Sequence, residues 1–355
     1  MTAANARFFF LSGLMTIAFG ASAGSSWRSD AAPSPPPVST TLSWRPQVKA
    51  IALAKLQGSF VSSQSIYADA ERIYAASYQG DLFILDRDRE KGFPLIQTIN
   101  FGAPLSAVHG DENHLYVTGR DGNLYVLSKT SPVRIVKSLS LSNYGLAAVH
   151  AYGKKVYVAK GQASLTASER HIYLSSLNSG DSGLEVFSRR TYGDENFDPG
   201  RTLVFDRHSL RLMGTIPNNQ SGAVQVSTWQ DFVYLTMPGC CGTGIDIYNA
   251  ATLERVQFIQ RSTNSVVGTE KNGVPLLVGG SEAGAVDWYV LGSKGYQLVS
   301  TIDLRTLTGF TGPEDVEIRS LWMDGLDNLV FAGSSWGNDQ SRSPELPSLF
   351  ILEIL

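Results

Sequence analysis

The chain holds only two cysteines in 355 residues, and they are adjacent, so neither a disulfide framework nor a multi-cysteine zinc site is available to it. Histidine is nearly as sparse, with five copies. The linear signatures His-Glu-x-x-His, Gly-x-Ser-x-Gly and the Walker A loop are absent. Lysine and arginine number 29 against 32 acids and never cluster, which removes the electrostatic case for nucleic acid or an anionic membrane surface. Beyond the N-terminus no stretch approaches the ~20 apolar residues that span a bilayer. No amphipathic helical stretch of useful length appears either, so helical architectures are excluded.

What is present begins with an export signal. Arg7 precedes the apolar run Phe8-Phe9-Phe10-Leu11 to Met15-Thr16-Ile17-Ala18-Phe19, and Ala21-Ser22-Ala23 closes it with small residues. This is the pattern of a secretory signal peptide over 1–23, with cleavage expected after Ala23. Ser12 and Gly13 interrupt the run, making it too short for an anchor, and no cysteine follows it as in a lipoprotein. The expected location is secreted or periplasmic. Losing Arg7 moves the formal charge from −3 to −4. Residues 24–45 carry Pro33, Pro35, Pro36 and Pro37 among Ser, Ala and Thr and read as a tether.

From Pro46 to Leu355 short Val, Ile, Leu, Tyr and Phe runs alternate with Gly, Asp and Asn turns, an all-β pattern. One run recurs: Arg72-Ile73-Tyr74-Ala75, His114-Leu115-Tyr116-Val117, Lys155-Val156-Tyr157-Val158, Phe232-Val233-Tyr234-Leu235, and later Pro275-Leu276-Leu277 and Leu329-Val330-Phe331. The spacings from Tyr74 through Tyr116, Tyr157, Tyr234 and Leu277 to Val330 are 42, 41, 77, 43 and 53. Three match the ~40–45 residues of a propeller blade, and two carry insertions. Each run is flanked by one strand before it and two after, which predicts a β-propeller of six four-stranded blades near 62–100, 104–141, 145–217, 222–260, 264–303 and 315–355. Seven is the alternative, because Ser164-Leu165-Thr166-Ala167 to His171-Ile172-Tyr173 echoes a first strand pair; 161–200 reads instead as an insertion in the third blade. The last blade lacks an outer strand, and Val48–Leu53 has no blade of its own, so an N-terminal strand is expected to close the ring.

Val204-Phe205-Asp206-Arg207-His208-Ser209-Leu210 and Ile247-Tyr248-Asn249-Ala250-Ala251-Thr252-Leu253 resemble the strand-plus-turn of secreted bacterial YVTN, LVIVD and quinoprotein-like propeller repeats. The resemblance covers 46–355 at the level of repeats. It implies the fold and an extracytoplasmic setting, and no particular activity.

Gly239-Cys240-Cys241-Gly242 is the most unusual string. In an oxidising compartment Cys240 and Cys241 are expected to form a vicinal disulfide, the glycines supplying the backbone freedom for so tight a ring. It serves as a loop clamp or as a flat face against which a ligand packs. Quinoprotein dehydrogenases are similar in placing such a ring beside their cofactor, but their Ala-x-Asp-x-x-Thr-Gly-x-x-x-Trp repeat motif is missing here. Long second-to-third-strand loops, at 161–200, around Cys240, and from Ser334 to Ser348, fall on one face of the propeller. Within them Tyr192 and Trp336 are candidate ligand-stacking aromatics, and Asp194, Glu195 and Asp198, with Asn196, are candidate Ca²⁺ ligands. No other cofactor is expected. Tyr67, His109 and His150 each precede their blade's tyrosine by seven residues, a repeat position that reads as packing rather than metal binding. The expectation is a monomeric, non-catalytic binding module for a protein, peptide or glycan on the long-loop face. The alternative is a hydrolase or lyase at the channel mouth, Ca²⁺-dependent if those acids bind metal.

Overall fold

Runs rich in β-branched and aromatic residues, each stopped by a turn residue, form strands along the whole chain. The structure, a computed structural model, describes residues 47–355 apart from 61, 143–144, 153–154, 161–162, 177–183, 188–200, 210, 218–224, 238–242, 305, 307–315, 324–327 and 337–347. All of them belong to one unit, Ser39–Leu355.

After β1 (Val48–Ala54), blade 1 contains β2 (Ile66–Ala68), β3 (Arg72–Ala76), β4 (Asp81–Asp86) and β5 (Leu95–Asn100). Blade 2 contains β6 (Leu105–Gly110), β7 (His114–Gly119), β8 (Asn123–Ser128) and β9 (Arg134–Ser140). Next come β10 (Leu146–Tyr152), β11 (Lys155–Lys160), β12 (Ala163–Ala167), β13 (His171–Ser176), β14 (Leu184–Phe187), β15 (Arg201–Asp206) and β16 (Leu212–Pro217). These seven interleave: β10-β11-β14 is blade 3 and β12-β13-β15-β16 is blade 4. Blade 5 is β17 (Gln225–Trp229), β18 (Phe232–Met237), β19 (Gly244–Asn249) and β20 (Arg255–Ile259). Blade 6 is β21 (Ser265–Lys271), β22 (Val274–Gly280), β23 (Ala285–Gly292) and β24 (Gly295–Asp303). Blade 7 is β25 (Val316–Met323), β26 (Leu329–Trp336) and β27 (Leu349–Ile354), completed by β1.

Among the described residues there are thus six four-stranded antiparallel sheets, as expected, and a seventh of three strands. Their inner strands meet in the order β2, β6, β10, β12, β17, β21, β25 and back to β2, a closed propeller ring. The division of 145–217 corrects the reading of 161–200 as an insertion. Ala163–Ala167 and His171–Ser176 begin blade 4, and β14 returns to pair with β11, Val156 opposite Phe187. The reason is visible in the turn: Ser168 Oγ accepts the His171 amide (3.2 Å), as Asp69 accepts that of Arg72 (2.9 Å) and Asp111 that of His114 (2.8 Å). The turn delivers Tyr173 to the fully buried position that Tyr74 holds.

The N-terminal strand closes the ring as predicted. Val48 pairs with Ile354 and Ala54 with Leu349, so β27 has no free edge. Arg89 of blade 1 adds a two-pronged bond to Glu353 (2.7 and 2.6 Å). The recurring tyrosine is the plug between blades: Tyr74, Tyr157, Tyr173, Tyr234 and, in blade 7, Phe331 are each under 2% exposed. Every such ring contributes roughly 1.5–3 kcal/mol of burial.

An inner strand has one edge facing the channel, and its amides need acceptors there. The preceding blade supplies them: Ser164 Oγ to Val226 N (3.0 Å), Gln225 Oε1 to Val266 N (2.6 Å) and His109 Nδ1 to Ala151 N (3.2 Å). Gln225→Ala would leave the Val266 amide without an acceptor, and a loss of about 1–3 kcal/mol in urea unfolding is expected. Unchanged stability would mean that water reaches this edge. Residues 62–65 enter the channel where the inner strands begin. Ser63 O accepts from Ser320 of blade 7 (3.2 Å), Gln64 O from the Val108 amide of blade 2 (3.0 Å), and the Gln64 side chain donates to Leu165 O of blade 4.

Candidate functional site

Antiparallel order puts all first-to-second and third-to-fourth strand turns on one side, here the turn face. The second-to-third connections and the blade crossovers lie on the other, the entry face. On the turn face the local chemistry repeats. Asp69 Oδ1 accepts the amides of Glu71 and Arg72, and Asp69 Oδ2 accepts from the Tyr74 hydroxyl (3.4 Å). Asp111 does the same for Asn113, His114 and the Tyr116 hydroxyl (2.6 Å). Burial alone would raise both carboxyls. The Lys129 bond and turn amides hold Asp69 below its usual range, and the Tyr116 hydroxyl and turn amides hold Asp111 below.

A basic residue directly after the third strand reaches back to the preceding blade's aromatics. Lys129 pairs with Asp69 (2.8 Å) and lies over the rings of Tyr67 (5.1 Å) and Tyr74 (5.9 Å), its side chain only 12% exposed. Burial first, then the charges of Asp69 and Asp111, pushes the Tyr67 hydroxyl up to about 12. Arg87 covers Phe331 (5.6 Å), and Arg207 covers Tyr152 (4.3 Å). These cations were missed in the sequence, although the signal is plain in Asp86-Arg87, Ser128-Lys129 and Asp206-Arg207.

Two open grooves of about 650 and 510 Å³ lie on this face. The first, between blades 1 and 2, runs from Tyr67 and Tyr74 past Asp69 to Asp111, with Lys129 as its resident cation. The second crosses from Tyr152 past Arg170 and His171 to Trp229. Just inside, the rings of Trp322, Tyr67, His109 and His150 touch in blade order, at centroid separations of 5.0, 4.9 and 4.3 Å. Burial, then the charges of His150 and Lys129, drives the His109 pKa well below the usual imidazole value; burial takes His150 to about 4. These repeat positions pack between blades, as their spacing predicts.

Cys240, Cys241, Tyr192, Asp194, Glu195, Asn196 and Asp198 all lie outside the described residues. Trp336 is the last residue of β26, opposite Val316, so it sits at a strand end on the entry face. Among the described residues no group of three or more His, Cys, Asp or Glu is placed to hold a metal ion, and no helix is long and apolar enough to cross a membrane.

No protein-family model matches the chain, and no curated protein does. Solved structures do. The computationally designed Ika8 protein aligns over 86% of this chain and 99% of its own, at 13% identity and a TM-score of 0.57. A chain of a Mitotic Checkpoint Complex aligns over 87% of this chain and 93% of its own, at 10% identity and a TM-score of 0.58. At such identities the likeness concerns the fold alone.

Proposed function

We propose that the chain is an extracytoplasmic interaction module of the YVTN/LVIVD kind, which binds a protein or peptide segment on its entry face. The observation that supports this is the path from β13 to β15. The chain leaves blade 4, adds β14 to blade 3, and returns, so 177–183 and 188–200 are each tethered at both ends to the rigid ring. Long connections pinned to a rigid frame are suited to recognition at low entropic cost. Tyr192, Asp194, Glu195 and Asp198 belong to this connection in sequence, and Cys240 and Cys241 fall in sequence between β18 and β19 of the next blade.

Replacing 189–199 by a Gly/Ser stretch of equal length is expected to keep the melting temperature within a few degrees and abolish binding of peptides selected from a phage-displayed library. Selected peptides that bind the replaced chain equally well would sink the proposal. Binding that chelation weakens would assign Ca²⁺ to the three acids. Expression of the full chain in a bacterial host should yield a periplasmic protein beginning at Gly24.

A further inference from the structure

In four blades the residue after the third strand donates its amide to a carbonyl of that blade's own first turn: Arg87 to Glu71, Lys129 to Asn113, Arg207 to Arg170 and Ala250 to Asp231. In three of them this residue is a cation lying over an aromatic ring of the preceding blade. In blade 5 it is Ala250. The acid that would receive a cation is missing there too, because Ser168 of blade 4 stands where blade 1 has Asp69, the partner of Lys129. The joint between blades 4 and 5 thus has a hydroxyl and a methyl where its sister has an ion pair, and the groove of about 510 Å³ opens beside them. A second departure borders the same groove. The last residue before the first turn is Asp69, Asp111 or Ser168 in blades 1, 2 and 4, where its side chain caps a turn amide. It is Tyr152 in blade 3 and Trp229 in blade 5, and both line the groove, partly exposed. Without the cap, the turn of blade 5 holds Gln230 in the left-handed region at φ 49°, an unfavourable backbone for glutamine.

We propose that this groove binds a neutral oligosaccharide, with a pyranose ring stacked on Trp229 and its hydroxyls bonded by Glu169, Arg170 and Asp231. A sugar ring presents C–H groups on its faces, which pack on an aromatic ring, and a belt of hydroxyls that both donate and accept. Arg207 already covers the Tyr152 ring (4.3 Å), which leaves Trp229 as the platform. Glu169, Arg170 and Asp231 line the groove, are exposed and, among the described residues, belong to no ion pair, so two acceptors and one fork of donors face a ligand. The charges argue against an ionic ligand. Glu169 and Asp231 are balanced by Arg170 and by Arg207 behind Tyr152, and neither sign prevails. The volume lies in the range of about 300–1,000 Å³ usual for small-molecule sites. This site is on the turn face and independent of the entry-face loops.

The test is titration calorimetry of the full chain with cellohexaose, maltohexaose and laminarihexaose as probes, and with hexalysine and hexaglutamate as charged competitors. At least one of the three sugars should bind saturably, and neither peptide should displace it. Ala250→Lys, which restores the cation of the sister joints, should weaken that binding at least about tenfold while the unfolding midpoint stays within a few degrees. Trp229→Ala should abolish it and Trp229→Phe should keep part of it, since the smaller ring still offers a face. Glu169→Gln, an exposed change, should weaken it several-fold by exchanging a charged acceptor for a neutral one. The Gly/Ser replacement of 189–199 should bind the sugar normally, which separates this site from the entry-face reading. Failure of all three sugars to bind would overturn the proposal. So would an Ala250→Lys variant with wild-type affinity, displacement of the sugar by either peptide, or loss of sugar binding on replacing 189–199.

Discussion

An Arg261→Ala variant is expected to lose about 3 kcal/mol of stability, the lower end of what breaking a buried ion pair costs. Asp287 in β23 is 1% exposed, and its carboxylate is held at three points: Arg261 Nε (2.6 Å), Arg261 Nη2 (3.0 Å) and the Thr301 hydroxyl (2.6 Å). Truncating Arg261 would leave a charge in the sheet with only the hydroxyl for company. The guanidinium is 40% exposed, so solvent already moderates the pair. Arg261 lies on the link from blade 5 to blade 6, so the pair anchors that link to the blade it enters. Urea unfolding at pH 7 checks the size of the effect. Adding Asp287→Asn should recover most of it by removing the stranded charge. A loss below about 0.5 kcal/mol would show that the pair behaves as an ordinary surface pair.

The second large effect is an acid-induced loss of stability between pH 6.5 and 4.5. His109 and His150 are both neutral in the folded ring, with pKa values lowered from the usual 6.5, that of His150 to about 4. The unfolded chain therefore takes up protons first as the pH falls. The contribution is complete above the unfolded pKa and is lost on descending through this window. For His150 the difference corresponds to about 3 kcal/mol. For His109 protonation at Nδ1 would also cancel the bond from the Ala151 amide and oppose the Lys129 charge. The lowered carboxyls of Asp69 and Asp111 titrate below this range. Urea midpoints measured at half-unit steps should fall steadily from pH 6.5 to 4.5, and His150→Phe should flatten roughly half of that slope. A flat wild-type profile would mean that the two rings are solvated and titrate normally.

The fold was legible because a propeller is a local structure repeated. The tyrosine strand and the Gly, Asp or Asn turns beside it each answer to a short-range requirement, so their recurrence marks the units. The repeat at Ser164–Tyr173 was the difficult case, because only Gly183–Phe187 was read as left to complete it, whereas β15 and β16 supply its outer strands. The blade it opens was consequently merged with its neighbour. The latch was legible from two incomplete ends that matched, Val48–Leu53 and Ile351–Leu355, and they do pair.

The site was much less so. Nothing in Leu184–Phe187 says that it returns to pair with β11, because strand partners across the sequence are chosen by which sheet has a free edge nearby. The groove beside Trp229 is likewise invisible until Ser168 and Ala250 are seen together: one departure from the repeat is in blade 4, and the other arrives from blade 5.

By itself, then, the nearly cysteine-free, helix-poor chain determined its unit: an antiparallel four-stranded blade with a tyrosine plug and a polar turn. Those features depend on residues a few positions apart. Tertiary structure alone decided the rest, namely the extra three-stranded blade, the crossover of β14 and the packing of Arg207 over the Tyr152 ring. Each of these arises where two blades meet, and the energy of a joint depends on pairs of residues that sequence distance does not connect.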